Sequence, residues 1–179
     1  MKTVVVRLVN HGDGLSKAII YEQGGMVAHA EVPMPGTQTV IGAYAEHGVI
    51  ERPLNYDNGV FEYEIFVLLE VEDATADAFH HYLRAVAAKK EPYDFPGLID
   101  YVQFLDLHKK HWVFCSALVV DGMRLNGVDD DTPRIFPRGL PKPAHFVSPV
   151  WLQQMLYARP DIKIITRDSP EFIAHTTNH

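Results

Sequence analysis

Apolar and polar residues alternate along the first 71 residues of the chain in a pattern that predicts β-strands. The alternation is clearest over 61–71, where aromatic and aliphatic residues occupy one face and glutamates lie on the other. Phe66 and Leu68 stand on the glutamate face, so the middle of this strand is expected to be covered on both sides. Shorter β-branched runs predict four further strands, over 2–9, 26–32, 37–44 and 49–52.

Helical periodicity dominates the rest of the chain. It predicts helices over 15–21, 73–89, 98–107, 115–125 and 149–157. In the first helix, Leu15, Ala18 and Ile19 form the expected buried face. The second is expected to begin at Asp73 or Thr75 and to turn an apolar stripe inward. That stripe consists of Ala78, Phe79, Tyr82, Leu83 and Val86.

The order of these elements predicts an α+β fold in a single domain over residues 1–179. Ser148 followed by Pro149 is typical of a helix N-terminus, and 126–148 reads as a loop. A last edge strand is expected over 162–166. The tail after about residue 170 is expected to be frayed or disordered.

Composition excludes several classes of function. The net charge of −7, from 16 basic and 23 acidic residues, argues against nucleic-acid binding. No run of 18 apolar residues is present, so we expect no membrane span. The apolar run Val4–Val6 is interrupted by Arg7, so it reads as a strand and not as a signal peptide. These features predict a cytoplasmic protein in the producing cell.

The single cysteine, Cys115, lies where an apolar strand-like run meets a predicted helix. At the first turn of that helix, its thiol would face the positive end of the helix dipole, which lowers a thiol pKa. The alternative is a buried structural cysteine, since free cysteines are among the most buried residues. A nucleophilic role requires a histidine as the base.

His29 and Glu31 are a candidate base and orienting residue. They are two residues apart in the strand predicted over 26–32, and such residues share a face. A thiol nucleophile needs a base within hydrogen-bond reach and a polar group to hold that base. The alternative interpretation of this pattern is a solvated face of a sheet. Tyr93, in the proline-bracketed segment before Cys115, could donate to an oxyanion, or it could be a packed loop aromatic.

No cofactor or metal site is expected from the sequence. His80, His81, His108 and His111 lack the spacing of a zinc site and are interpreted as surface histidines. Residues 129–131 are three aspartates without the pattern of a calcium loop. A glycine-rich phosphate loop is also missing.

Six short segments, taken in order, resemble one known family. They are GLSKAI at 14–19, HAEV at 29–32, GVIER at 48–52, PYDFPGL at 92–98, WVFCS at 112–116 and SPVWL at 148–152. Together they resemble the circularly permuted branch of the NlpC/P60 papain-like cysteine hydrolases. That branch includes YiiX/YaeF-like and phage-encoded proteins and, more distantly, lecithin:retinol acyltransferases.

The resemblance implies a permuted papain-like fold with a central antiparallel sheet packed against the helices. It implies Cys115 as nucleophile, His29 as base, Glu31 as the polar third residue and Tyr93 beside the nucleophile. Ala117 departs from the glutamate that members often have two residues after the cysteine.

Some members take the third catalytic residue from the next strand, which would make it Gln38 or Thr39. The implied activity is hydrolysis of a cell-wall peptide amide through a thioacyl intermediate, with a peptidoglycan fragment as substrate. Lipid acyl hydrolysis or acyl transfer, on an acyl ester, is the alternative within this fold. The other alternative is a non-catalytic binding or structural module of a phage particle. Release by lysis or carriage in a virion would bring the protein to a cell wall.

Overall fold

The computed structural model describes residues 1–94, 113–125 and 147–177. The helix predicted over 98–107, His108, His111 and most of the 126–148 loop lie outside these residues.

The fold is built on one antiparallel sheet in the order β4-β3-β2-β1-β5-β6. Its strands are β1 (Lys2–Asn10), β2 (His29–Pro33), β3 (Thr39–Tyr44), β4 (Gly48–Pro53), β5 (Tyr63–Val71) and β6 (Lys163–Ile165). The predicted strands are therefore confirmed, and β6 is the predicted edge strand. β1 and β5 are the longest pair and both lie inside the sheet, with the register Arg7 opposite Phe66.

Five helices are described around the sheet. They are α1 (Gly14–Gln23), α2 (Asp73–Lys89), α3 (Cys115–Leu125), α4 (Pro149–Tyr157) and α5 (Pro170–Thr177). Ser148 caps α4 by accepting a hydrogen bond from Trp151 N–H at 2.9 Å, and Pro149 is its first residue, as predicted. The arrangement confirms the expected α+β class.

Apolar side chains cover both faces of the sheet. The larger core joins alternate residues of the strands to helices α2, α3 and α4. A smaller core on the opposite face includes Val5, Phe66, Leu68 and Phe172. The middle of β5 is thus buried on both sides, as its sequence predicted.

The tail after residue 170 is ordered, which corrects the expectation of a frayed end. Residues 170–177 form α5, and the Phe172 ring lies 4.0 Å from the Phe66 ring, measured between centroids. Burial of these two rings offsets the entropy cost of ordering a short terminal helix.

The buried faces of α1 and α2 differ from the predicted ones. In α1, Ser16 and Ile19 are buried, whereas Leu15 and Ala18 are exposed. In α2, Ala78 is exposed and the buried positions are Ala76, Phe79, His80, Leu83 and Val86. These five positions follow the helical repeat, with the stripe rotated to include Ala76.

The start of α2 is also different from the prediction. Its N-cap is Glu72, which makes no side-chain capping hydrogen bond, and Asp73 is the first helical residue. Asp73 instead pairs with the N-terminal ammonium at 3.0 Å.

Candidate active site

Cys115 is the first residue of α3 and is 2% exposed. Burial alone would raise the pKa of this thiol. The charge of His29 and a hydrogen bond with its side chain lower the thiol pKa, and hydrogen bonds from the backbone N–H groups of Ala30 and Ser116 lower it further. The net result is a pKa below the ordinary thiol value. The position at the helix start agrees with the sequence prediction, and the surroundings favour a thiolate.

His29 is the first residue of β2, and its imidazole faces Cys115. Burial alone would lower the pKa of His29, but the charges of the Cys115 thiolate and Glu31 raise it to about 10. Glu31 Oε1 lies 3.0 Å from His29 Nε2. The oxygen is not aligned with an N–H bond, and Nε2 has no well-directed hydrogen-bond partner among the described residues. The attraction between this pair is therefore mainly one of charge.

Glu31 is fully buried and is held from two sides. Arg7 Nη1 donates to Oε2 at 2.8 Å, and the Tyr56 hydroxyl donates to Oε1, the oxygen that faces His29. Burial alone would raise the pKa of Glu31, but His29, Arg7 and Tyr56 together hold it far below its ordinary value. The carboxylate is therefore a fixed negative charge behind the imidazole.

Arg7 is the centre of a buried charge cluster that sequence analysis missed. It is 0% exposed, and each of its three guanidinium nitrogens donates to a different carboxylate. Besides Glu31, Nη2 donates to Asp57 at 2.6 Å and Nε donates to Glu64 at 2.6 Å. Arg167 also pairs with Glu64, at 2.5 Å. A lone arginine inside the otherwise apolar run VVVRLV at 4–9 was the sequence signal for this cluster.

Four titratable rings surround Glu31. The ring centroids are 5.9 Å apart for His11 and His29, 5.2 Å for His29 and Tyr44, 5.7 Å for Tyr44 and Tyr56, and 6.2 Å for Tyr56 and His11. His11 Nε2 lies 2.8 Å from Asp57 Oδ2, which makes a second histidine–carboxylate pair. The segments HGDG at 11–14 and NYDNG at 55–59 have the composition of turns, so neither His11 nor Asp57 could be connected to His29 from spacing.

A pocket of about 130 Å³ opens beside His29. Tyr93 lines it together with His11 and Tyr44, and apolar side chains from α1 and the strands complete the wall. Val113 N–H donates to the Pro92 carbonyl and its own carbonyl accepts from Asp94 N–H, which places Tyr93 beside Val113 and next to the segment that leads into Cys115. Tyr93 is 7% exposed.

Gln38 and Thr39 lie away from this pocket. Gln38 donates to the Thr176 carbonyl at 3.2 Å, and the Thr39 hydroxyl donates to Glu51. The residue opposite Glu31 on β3 is Gly42. These contacts favour Glu31 over Gln38 and Thr39 as the group beside His29.

His80, His81, His108 and His111 were interpreted as surface histidines, and this is wrong for His80. His80 is 5% exposed on the inner face of α2, and burial lowers its pKa to about 4. Its neighbour His81 is exposed. Among residues 1–94, 113–125 and 147–177, no group of three or more His, Cys, Asp or Glu side chains is placed to hold a metal ion.

Comparison with known proteins establishes the fold and leaves the family undetermined. No protein-family model matches the chain, and no curated protein sequence matches it significantly. The fold is similar to that of metalloprotein YiiX from Escherichia coli O157:H7, with a TM-score of 0.56 and 17% sequence identity over 94% of this chain and 98% of that one. The chain therefore has a YiiX-like fold. No helix in the described segments is long and apolar enough to cross a membrane.

Proposed function

We propose that the protein is a cysteine hydrolase that cleaves an amide bond through a thioacyl intermediate. The observation that carries this proposal is the close arrangement of Cys115 at the start of α3, the His29 imidazole and the buried Glu31 carboxylate. The lowered pKa of the thiol and the raised pKa of the imidazole are the signature of a thiolate–imidazolium pair.

The reaction begins with transfer of the Cys115 proton to His29. The thiolate attacks the carbonyl carbon, a C–S bond forms, and the negative oxygen is bound by the Cys115 backbone N–H and the Tyr93 hydroxyl. His29 then gives its proton to the leaving nitrogen as the C–N bond breaks. Water attacks the thioester with His29 as base, the C–S bond breaks, and the carboxylic acid leaves.

The leading substrate class is a cell-wall peptide amide, because the sequence resembles cysteine hydrolases of that type. The neighbour's description as a metalloprotein does not transfer to this site, where the described residues lack a converging set of metal ligands.

Acyl esters are a second candidate class, and one observation favours them. The pocket wall beside His29 contains Leu15, Ile19 and several alanines, and Leu15 is 41% exposed at its rim. An apolar wall suits an acyl chain. Esters of increasing chain length, compared with peptidoglycan-derived peptides under identical conditions, would separate the two classes.

The test is the pH dependence of Cys115 alkylation by iodoacetamide. We expect an apparent pKa below the ordinary thiol value of about 8.5 in the parent, and a higher value in His29→Ala. His81→Ala is the matched control, since His81 is exposed on α2. A thiol of ordinary pKa that is indifferent to His29 would refute the mechanism and leave a non-catalytic binding or structural module.

Product release gives the second part of the test. Peptidoglycan-derived peptides incubated with the parent should yield new termini by mass spectrometry, and Cys115→Ala should yield none. A parent with an acidic thiol that cleaves esters but no peptide amide would establish the acyl-ester alternative.

A further inference from the structure

A second histidine–carboxylate pair adjoins the proposed active site and has no role in the mechanism above. His11 Nε2 lies 2.8 Å from Asp57 Oδ2, and His11 lines the same pocket as His29. The side chain of His11 is 17% exposed, whereas that of Asp57 is 4% exposed. The two pairs, His11–Asp57 and His29–Glu31, thus stand side by side at the pocket.

The Tyr56 hydroxyl lies between the two pairs. It donates to Glu31 Oε1, and its oxygen is 3.4 Å from His11 Nε2. An ionised carboxylate can only accept, so the hydroxyl proton belongs to the bond with Glu31. Tyr56 therefore offers His11 only a lone pair, so the single Nε2 proton of His11 is shared between Asp57 Oδ2 at 2.8 Å and, more weakly, the Tyr56 oxygen at 3.4 Å. The donors run in one direction, from His11 to Tyr56 to Glu31.

Glu31 Oε1 is shared between Tyr56 and His29. Burial and the charge of Glu31 raise the pKa of Tyr56 far above its ordinary value, so the phenol remains a donor throughout the working pH range. A phenol that donates to Oε1 withdraws negative charge from the oxygen that holds the His29 imidazolium. Donation by His11 polarises the phenol and strengthens that effect.

We propose that Tyr56 is a positioning residue that couples the His11–Asp57 pair to Glu31 and so sets the acidity of the Cys115–His29 pair. The proposal rests on the proposed function, because it assigns a role to Tyr56 in tuning that same ion pair. Tyr56 does not contact the reacting atoms. It acts through Glu31.

Charged and titratable groups surround Glu31 and His29 from every neighbouring element. They are Arg7 of β1, Tyr44 of β3, Arg52 of β4, Glu64 of β5 and Cys115 of α3, with His11, Tyr56, Asp57 and Tyr93 from the connecting segments. Among the described residues, two groups contact both pairs. One is Tyr56, and the other is Arg7, which donates to both Glu31 and Asp57. The rings of His11 and His29 also approach each other directly, with centroids 5.9 Å apart. An experiment must therefore separate the Tyr56 route from these two others.

The experiment is a double-mutant cycle on the intact chain, with the pH dependence of Cys115 alkylation by iodoacetamide as readout. In Tyr56→Phe the apparent pKa of the thiol should fall by up to about one pH unit, because Glu31 then holds the imidazolium more tightly. His11→Gln should shift it in the same direction by less. Because His11 acts through Tyr56, the double variant should match Tyr56→Phe alone. Tyr63→Phe, on β5 beside Tyr157, is the matched control and should leave the profile unchanged.

The sign of the shift distinguishes tuning from a structural role. Loss of site geometry would move the thiol pKa upward, toward about 8.5. An upward shift or an unchanged profile in Tyr56→Phe would overturn the proposal. So would a His11 effect that persists in the Tyr56→Phe background, since this assigns the coupling to Arg7 or to the direct approach of the His11 and His29 rings. A thiol that is acidic in the parent and depends on His29 keeps the proposed function in each of these cases, whereas an ordinary thiol in the parent overturns both.

Discussion

Replacing Arg7 by methionine should test what the buried charge cluster contributes to stability. Arg7 is 0% exposed, and its three carboxylate partners Glu31, Asp57 and Glu64 have side chains that are 0%, 4% and 6% exposed. Methionine keeps much of the apolar stem of arginine and removes the charge and all three donors. The variant thus leaves three buried carboxylates without their shared counter-ion.

The expected cost is about 3–5 kcal/mol in the free energy of unfolding at neutral pH, the range for breaking a buried ion pair from one side. It should not reach three times that range, because each carboxylate retains another contact. Arg167 remains at Glu64, His11 at Asp57, and His29 and Tyr56 at Glu31.

The cost should also depend on pH. In the parent, the pKa of Glu31 is far below the ordinary glutamate pKa of 4.5, so the ionised carboxylate stabilises the folded state. This stabilisation is complete above about pH 4.5 and is lost as the pH falls below that value. Without Arg7, burial of Glu31 is opposed only by His29 and Tyr56, so its pKa is higher than in the parent and its protonation relieves a less compensated charge. The difference in stability between parent and variant should therefore shrink between about pH 7 and about pH 4.

Urea unfolding of the parent and Arg7→Met at the two pH values measures this difference directly. The control is Arg84→Met, because Arg84 is exposed on α2 and its replacement should change stability by no more than about 0.5 kcal/mol. The reasoning fails if Arg7→Met costs less than about 1 kcal/mol at neutral pH, or if its cost is the same at both pH values.

Two further predictions concern a buried histidine and a constrained glycine. Burial lowers the pKa of His80 from its ordinary value of 6.5 to about 4. The unfolded chain therefore binds a proton at His80 more readily than the folded chain, and the folded state loses stability as the pH falls from about 6.5 toward about 4. His80→Leu should remove that loss in urea unfolding between these pH values, while exposed His81→Leu should retain it. Gly48 has φ +70° and a Cβ there would lie 2.3 Å from the Glu91 carbonyl oxygen, whereas Gly59 has φ +79° and open space. Gly48→Ala should therefore lower the free energy of unfolding by more than Gly59→Ala does. For Gly59→Ala the only cost is backbone strain of about 1 kcal/mol. Equal losses in the two variants would show that the Glu91 contact does not constrain Gly48.

The sequence by itself determined the features that depend on local pattern. Alternation predicted β5 and its two covered faces, since a strand repeats every two residues whatever packs against it. Ser148 and Pro149 predicted the start of α4, because capping involves only the first turn of a helix. Candidate site residues Cys115 and His29 were named from the junction of strand and helix and from a family resemblance, and their chemical roles remain predictions.

Tertiary structure alone decided which polar residues are buried together. Arg7 and Glu64 lie on neighbouring strands, each among apolar residues, and Asp57 comes from a separate turn. From sequence alone, a charged residue in a strand is predicted to be exposed, because its partners on other segments are not known. Phe172 similarly needs Phe66, 106 positions earlier in the chain, to make the C-terminal segment a packed helix. His80 and His81 are the same residue type in adjacent positions, and only the rotation of α2 against the sheet buries one and exposes the other. These outcomes depend on contacts between distant segments, which a local pattern does not contain.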